Sequence, residues 1–426
     1  MRFLKSHITL LFLFVFFGSS TYSQNYSWYQ LPNSKSGGLI NLSFINENTG
    51  WVIHSLGAVY RTTDGGISWE ILDSIPTGSF RSVVFINEST GWIGSLNSSI
   101  VLFNTTNGGY NWTVVTNLPD PVPTGICGIH ALNETFIYGC GTYSGYANFI
   151  KSTDGGNNWI TKDMTKYTTA LVDCYFFDEN KGIVVGGDGV FSIRKSKILL
   201  TTDGGETWES KFTGTRNSEW CWKISFVDEN NGFVSLETFN PVKYFAKTTD
   251  GGMTWNDLPF PNANEEGIGF INPNTGWIGG QSQSGYGTTD GGSTWFNANI
   301  GSDINRFQMF GDTLGYACGQ YVFKYAKTSG IAPVNSSIPE NFYLLQNYPN
   351  PYNSSTKIRF GISKKSNVKI NVYDNLGKHI LTILNEPLTP GNYETPLNTG
   401  ALSSGVYYYS LESDYVRVVK KMIILK

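Results

Sequence analysis

The sequence predicts an all-β protein, a seven-bladed β-propeller followed by a small immunoglobulin-like β-sandwich. Two repeated motifs support this prediction: one recurs six times at intervals of 40–49 residues, and a hairpin motif lies between its copies. Aromatic residues make up 15% of the 426 residues, and there are 48 glycines. This composition suits short strands joined by tight turns.

The first motif has the form T-T-D-G-G-x-x-W, and we call each copy an Asp box. Its period is typical of four-stranded propeller blades. We expect the acid to accept hydrogen bonds from N–H groups of its own turn, the glycines to permit positive φ, and the tryptophan to fill a gap between blades. One acid per turn is too few for calcium, so no metal or cofactor is predicted. The third residues of the boxes are Asp64, Asn107, Asp154, Asp203, Asp250 and Asp290.

The second motif is an apolar strand, a polar turn ending in glycine, and another apolar strand, as in FINENTGW at 44–51. This pattern is typical of a β-hairpin. Seven hairpins occur but only six Asp boxes, so the last blade lacks its outer strand. Residues 26–31 resemble residues 67–72 of the first repeat. We therefore predict that the segment 25–31 completes the blade begun at residue 304 and closes the ring.

The chain divides into four predicted segments. Residues 1–23 combine a charged head, a ten-residue apolar run and small residues, as in a secretory signal peptide. The run is too short to cross a hydrocarbon core of ~30 Å, and no later segment is apolar enough to do so. The propeller occupies 24–327, a Ser-, Pro- and Asn-rich linker occupies 328–341, and the sandwich occupies 342–426.

Charge and cysteine content restrict the function classes. Residues 25–337 carry 18 basic and 27 acidic side chains, which disfavours binding to nucleic acid. Five cysteines cannot all pair within one chain. Cys127 and Cys140 face each other if residues 131–136 form the end of a hairpin, so a disulfide is one alternative there. Buried free thiols are the expectation we favour.

The repeats resemble the BNR or Asp-box repeats of sialidases, some glycoside hydrolases and photosystem II assembly-factor-like propellers. GAVYRTTDGGISW at 57–69 is most similar to the last group. LLQNYPNPYNSSTKIRF at 344–360, LSSGVYYYSL at 402–411 and KKMIILK at 420–426 resemble the C-terminal sorting domain of type IX secretion cargo. The second resemblance implies the type IX machinery as a partner and a secreted or cell-surface location.

The candidate ligand site lies on the face of the propeller opposite the Asp boxes, where loop length is free to vary. The loops of blades three to five are long, and residues ten positions before a hairpin glycine should lie at the entrance of the central channel. The candidate ligand-binding residues are Arg81, Tyr143, Tyr146, Arg194, Arg216, Trp220, Trp222, Phe239, Glu266 and Asn305.

These features favour an exported binding module for a protein or a glycan. A sialidase-like or other secreted glycoside hydrolase is the alternative, with Glu266 and either Glu219 or Asp173 as its two carboxylates. No arginine triad or nucleophile motif accompanies them, so catalysis is the less favoured reading. A scaffold for assembly of an envelope complex is a third hypothesis, drawn from the assembly-factor resemblance.

Overall fold

The computed structural model describes residues 26–425, apart from a few short gaps. The gaps are residues 32–33, 35, 73–74, 76–77, 143–144, 262, 282, 328–331, 336, 354 and 399–401. The predicted signal peptide therefore lies outside the described residues.

The described part of residues 26–327 forms seven four-stranded antiparallel sheets, which are the blades of a propeller. In chain order the strands are β1 (Tyr26–Gln30), which joins blade 7; β2 (Leu39–Phe44), β3 (Gly50–His54), β4 (Val59–Thr62) and β5 (Glu70–Ile71) of blade 1; β6 (Phe80–Phe85), β7 (Gly91–Asn97), β8 (Ile100–Thr105) and β9 (Thr113–Val114) of blade 2; β10 (Gly128–Ala131), β11 (Ile137–Gly141), β12 (Asn148–Ser152) and β13 (Ile160–Asp163) of blade 3; β14 (Ala170–Phe176), β15 (Gly182–Asp188), β16 (Lys195–Thr201) and β17 (Glu209–Thr213) of blade 4; β18 (Glu219–Phe226), β19 (Gly232–Thr238), β20 (Lys243–Thr248) and β21 (Asn256–Phe260) of blade 5; β22 (Ile268–Phe270), β23 (Gly276–Gly280), β24 (Gln283–Thr288) and β25 (Phe296–Ile300) of blade 6; and β26 (Arg306–Phe310), β27 (Leu314–Cys318) and β28 (Val322–Lys327) of blade 7. A 3₁₀ turn, Phe191–Ile193, lies between β15 and β16.

The ring closes as the sequence predicts. Strand β1 pairs antiparallel with β28, with Trp28 opposite Tyr325, and so completes the sheet of blade 7. Each innermost strand contacts the innermost strand of the next blade, and β26 contacts β2. Gln308 of β26 makes two bonds across this junction, accepting from the Phe44 N–H and donating to the Phe44 carbonyl, both at 2.8 Å.

The Asp-box turns lie on the same face of the propeller as the hairpin turns, because the two are hydrogen-bonded in every blade that has a box. In blade 1 the Gly65 N–H donates to the Asn48 carbonyl at 2.8 Å. The Asp64 carboxylate accepts from the Ser68 N–H at 2.9 Å and from the Thr62 hydroxyl at 2.8 Å. Gly65 and Gly66 have φ of 72° and 88°. Hydrogen bonds to Thr294 and Thr288 lower the pKa of Asp290, the equivalent acid of blade 6, to about 2.

Flat aromatic pairs join neighbouring blades at four of the seven junctions. In each pair a phenylalanine that ends an innermost strand stacks on a ring of the preceding blade, with centroids 3.5–3.7 Å apart. The pairs are Phe44 with Tyr316, Phe85 with Trp51, Phe176 with Tyr138, and Phe270 with Phe233. A single blade cannot bury its own two faces. Burial of these rings between neighbouring blades therefore stabilises the propeller.

The five cysteines are all buried and none forms a disulfide. The predicted register of the third hairpin is wrong by one residue, since Gly128, and not Cys127, lies opposite Cys140. The turn of this hairpin spans Leu132–Phe136, and it is longer by one residue than the one assumed from the sequence.

The C-terminal residues form a sandwich of two four-stranded sheets. Their order is β29-β34-β31-β30 in one sheet and β33-β32-β35-β36 in the other. The strands are β29 (Ala332–Asn335), β30 (Tyr343–Leu344), β31 (Ser355–Ile362), β32 (Ser366–Tyr373), β33 (His379–Leu388), β34 (Gly391–Asn398), β35 (Gly405–Glu412) and β36 (Arg417–Ile424). Strand β29 falls within the segment 328–341 that the sequence predicts to be a linker, and it pairs with β34.

Trp28 tests whether β1 holds the ring closed. Its ring packs against Trp277 of blade 6 and against Phe307 and Tyr325 of blade 7, with centroids 5.4–5.5 Å apart. We expect Trp28→Ala to lower the free energy of unfolding by about 2–3 kcal/mol, less than the ~3–5 kcal/mol of a fully buried tryptophan. Chemical denaturation measures the change. Gln30→Ala, an exposed position of the same strand, is the control and should change stability little; equal stability of both variants would contradict the role of β1.

Candidate functional site

A small pocket, with room for about one water molecule, opens where the innermost strands begin, at the centre of the face that carries the loops between second and third strands. We call this face the loop face. The lining residues come from six of the seven blades and are Ile40, Arg81, Cys127, Val172, Trp222, Lys223 and Asn305. Arg81, Trp222 and Asn305, which each stand ten positions before a hairpin glycine, are among the residues that line this pocket. Glu266 obeys the same rule, but it is not among the lining residues.

β-Bulges explain why these side chains reach the pocket. In blades 1, 2, 4 and 5 the register of the innermost strand shifts at the lining residue, for example between Phe80 and Ser82 on either side of Arg81. A bulge leaves one residue outside the ladder and redirects its side chain. In blade 5 the shift lies between Cys221 and Ile224, so both Trp222 and Lys223 leave the regular alternation.

The pocket and the channel beneath it contain more cations than the sequence rule predicts. Arg306 forms an ion pair with Asp173, with 2.5 Å between Nη1 and Oδ2. Asp173 is 1% exposed, and it also accepts from the Ile224 N–H at 3.2 Å. Lys223 lies in the same region and is 5% exposed. Burial, and after it the charge of Arg306, lower the pKa of His130 to about 4, so this imidazole is neutral at pH 7.

Four glutamates that are largely shielded from solvent lie on blade 5 or on the crossing from blade 5 to blade 6. Glu219 is fully buried and is held by Arg216, at 2.7 and 3.0 Å, and by the Ser196 hydroxyl at 2.8 Å. Glu266 accepts from Gln281 Nε2 at 2.8 Å. Burial raises the pKa of Glu266 and raises that of Glu265 well above its usual range. Burial, and then the neighbouring Glu266, raise the pKa of Glu237 to about 8.

An apolar patch lies beside these glutamates on the loop face. It consists of Val190, Phe191 and Ile193 from the loop between β15 and β16, and Phe239 and Val242 from the loop between β19 and β20. All five side chains are more than half exposed, Phe239 the most at 68%. The Phe191 and Phe239 rings contact each other and both contact the buried Trp220, with centroid distances of 5.3–6.2 Å. Trp220 is fixed from below by a 2.9 Å bond from its Nε1 to Glu237.

The remaining predicted site residues are distributed around this patch. Arg194 is buried, and its Nε donates to the Gly189 carbonyl at 3.2 Å, which shapes the loop that carries Phe191. Arg216 joins Glu219 to Asp257 and lies 3.8 Å from the centre of the Tyr244 ring. The Tyr146 hydroxyl donates to the Val122 carbonyl. Tyr143 lies outside the described residues.

The structure differs from the sequence prediction in two respects. Trp220 and Trp222 are among the candidates predicted on the face with long loops, but β18 begins at Glu219, so both residues lie on this strand. The prediction also omits Lys223, Arg306 and Phe191. Lys223 and Arg306 each follow directly after a residue that stands ten positions before a hairpin glycine. In a regularly alternating strand, the side chain at this next position would be buried between blades.

Comparison with known proteins finds a match for each of the two parts of the chain. Residues 346–425 match the family model of the secretion system C-terminal sorting domain, and residues 19–139 match that of the photosynthesis system II assembly factor YCF48. No curated protein matches the sequence. The C-terminal part is a secretion sorting domain. The chain is therefore a cell-surface or extracellular protein exported by the type IX system, and the resemblance drawn from its motifs is confirmed.

Solved structures with the same fold include two YCF48 propellers. One is YCF48 bound to D1 peptide, with 20% identity, a TM-score of 0.54, and coverage of 71% of this chain and 97% of that one. The other is YCF48 from Cyanidioschyzon merolae, with 20% identity, a TM-score of 0.53, and coverage of 70% and 98%. PorZ, a surface component of the type IX secretion system of Porphyromonas gingivalis, has 12% identity, a TM-score of 0.53, and coverage of 93% and 60%. This chain thus spans somewhat more than half of the PorZ chain.

None of the described segments forms a helix long and apolar enough to cross a bilayer. Within the same residues, no three His, Cys, Asp or Glu side chains converge in an arrangement that could hold a metal ion.

Glu237 gives the site a pH dependence. Its pKa is raised on folding, so the stabilising form is the protonated one. That contribution is complete below pH 4.5 and is lost as the pH rises towards 8. We expect Glu237→Gln, which keeps an acceptor for Trp220, to melt at a higher temperature than the wild type at pH 8.5 and at a similar one at pH 4.5. Calorimetry across this range measures the difference.

Glu229→Gln, at an exposed hairpin turn, is the control and should leave the dependence of the melting temperature on pH unchanged. If Glu237→Gln also left this dependence unchanged, the role assigned to Glu237 would be contradicted.

Proposed function

We propose that the protein is a non-catalytic binding module, delivered to the cell surface by its sorting domain, and that it binds a protein partner through the apolar patch of blades 4 and 5. The exposed phenylalanines of the patch support this proposal most directly. A contiguous apolar patch that stays in water is typical of an interaction surface, and aromatic anchors are enriched at the centres of protein interfaces.

The composition of the patch favours a protein over a glycan. Sugar sites combine an aromatic face with several free polar groups that bond hydroxyls. Here the nearby polar side chains are already engaged: Glu237 accepts from Trp220, and Arg194 donates to the Gly189 carbonyl. A structure of the same fold contains a bound peptide, which supports peptide recognition as a property that this architecture permits.

The hydrolase alternative receives less support from the carboxylates. A glycosidase needs an acid and a base or nucleophile that both reach the sugar. Glu219 and Asp173 are 0% and 1% exposed, and each forms an ion pair with an arginine. Glu266 is also buried and is bound by Gln281.

We also propose the division of the chain given by the sequence, with one change. Residues 1–23 are the signal peptide and the segment 24–327 is the propeller. Because β29 pairs with β34, the C-terminal unit begins at Ala332 and not at residue 342, which shortens the linker. The assembly-scaffold hypothesis is the case in which the bound partner is a component of an envelope complex.

Binding to intact cells tests the proposal. Fluorescently labelled wild-type protein is added to cells of the producing organism that lack the gene, and the bound fraction is measured. Phe191→Ser combined with Phe239→Ser should weaken binding by at least about tenfold, because each exposed anchor carries on the order of 1 kcal/mol or more. Met253→Ser, an apolar residue 48% exposed in an Asp-box turn on the opposite face, is the matched control and should bind as the wild type does.

Pretreatment of the cells distinguishes the partner classes. Protease treatment should abolish binding, whereas periodate oxidation of glycans should not. Binding that survives protease and is lost to periodate would overturn the proposal in favour of a glycan ligand. Release of reducing sugar that disappears in Glu266→Gln would establish the hydrolase instead.

A further inference from the structure

The junction of blades 3 and 4 contains two cysteines that face each other. Cys140 lies on β11 of blade 3 and Cys174 on β14 of blade 4, and both are buried in the same apolar core. The Cys174 thiol donates to the carbonyl of Tyr138, two positions before Cys140 on β11, with 3.9 Å between sulfur and oxygen. The Cys140 and Cys174 side chains are also hydrogen-bonded to each other. The two sulfur atoms are therefore neighbours across the junction.

The register of the two blades explains this contact. The Tyr138 ring stacks on Phe176 with centroids 3.6 Å apart, and the cysteines stand two positions from these rings, Cys140 after Tyr138 and Cys174 before Phe176. The backbones also approach closely here. Gly128 lies opposite Cys140 within blade 3, and a Cβ atom added to it would stand only 2.7 Å from the Cα atom of the residue before Cys174. A covalent bridge between two strands requires such a close approach.

The equivalent positions at other junctions carry apolar side chains. Two positions from the stacked rings, the junction of blades 1 and 2 has Ile53 and Val83, and the junction of blades 7 and 1 has Leu42 and Cys318. The Leu42 and Cys318 pair indicates that one cysteine at this position serves as a small apolar residue. Two cysteines in contact add a chemical property that packing does not require, which is the capacity to form a cross-link.

We propose that Cys140 and Cys174 form a disulfide that joins blade 3 to blade 4 in the exported protein. The sorting domain directs the chain out of the reducing cytoplasm, to compartments where disulfides persist. The bond forms by exchange with a disulfide-bearing protein or small molecule outside the cytoplasm. One cysteine thiolate attacks the donor disulfide, and the second thiolate then displaces the donor sulfur. The two cysteines are oxidised, and the donor is reduced to two thiols that take up the two protons.

The exchange takes place before the two blades pack together. In the structure both residues are thiols, Cys140 is 0% exposed, and burial, followed by the contact with Cys174, raises the pKa of Cys140. A thiol in such surroundings is unreactive, so the donor meets the cysteines while the chain folds. Cys127 is a poorer partner, because its sulfur lies 3.9 Å from the Thr142 hydroxyl. This inference is independent of the apolar patch and of the partner that the patch binds.

Peptide mapping of the full secreted chain tests the proposal. The protein is collected without reductant, denatured in iodoacetamide, and digested with trypsin and a glutamate-specific protease, which together release the three neighbouring cysteines on separate peptides. Mass spectrometry should find peptide 135–151, with Cys140, joined to peptide 167–179, with Cys174, and the other cysteines alkylated. Alkylation of both Cys140 and Cys174, or a bond from peptide 135–151 to peptide 89–134, would overturn the proposal.

The response of the melting temperature to a phosphine reductant distinguishes a cross-link from simple packing. Reductant should lower the melting temperature of the wild type by several degrees, because a cross-link restricts the unfolded chain. It should leave Cys174→Ala unaffected, and Cys140→Ala gives the same comparison if Cys174→Ala does not fold. Cys318→Ala, at the equivalent position of the closing junction, is the matched control and should keep the full response. A wild type that does not respond, or a Cys174→Ala variant that responds as the wild type does, would contradict the cross-link.

Discussion

The fold depends on a phenylalanine ring held between a glycine of its own blade and an aromatic ring of the preceding blade. At the closing junction, Phe44 stacks on Tyr316 with centroids 3.7 Å apart, and the opposite side of its ring lies over Gly50. A Cβ atom added to Gly50 would stand 2.3 Å from the ring. Gly50 does not have a positive φ, so the hairpin glycine is required by this close approach and not by a left-handed turn.

This ring contact belongs to the repeated part of the blades. The loops on the loop face are not part of it and differ from blade to blade. The Asp-box and hairpin turns are bonded to each other and to the strand ends, which leaves the loop face free to differ between blades. In blades 4 and 5 that freedom produces the patch around Phe191 and Phe239. The bulges in the innermost strands provide a second variation, because they direct residues such as Arg81 and Lys223 into the channel.

The period of the motifs was sufficient to predict the blades, their number and the closing strand, since each repeat is one supersecondary unit with fixed turn chemistry. The same regularity leads to Arg81, Trp222 and Asn305 in the pocket. The same regularity does not predict Lys223, because a regular strand would direct this side chain away from the channel. The register shift between Cys221 and Ile224, which leaves two residues outside the regular alternation, directs it into the channel. Such a bulge depends on packing between blades and leaves no signal in the local alternation of apolar residues.

Loop residues were predicted less completely for a related reason. Phe239 is found from loop length alone, but Phe191 contacts it only because a 3₁₀ turn at Phe191–Ile193 and the bond from Arg194 to Gly189 fold the neighbouring loop towards it. Contacts between loops of different blades depend on the ring as a whole, and residue spacing does not encode them.

The free energy of unfolding of Gly50→Ala tests this dependence on the ring contact most directly. The added methyl group should push Phe44 away from Tyr316 and destabilise the propeller by about 1–3 kcal/mol, as overpacking of a filled core does. Gly405→Ala, where the new Cβ would meet its nearest neighbour at an ordinary 3.5 Å, should stay within about 0.5 kcal/mol of the wild type. A Gly50→Ala propeller as stable as the wild type would contradict the account.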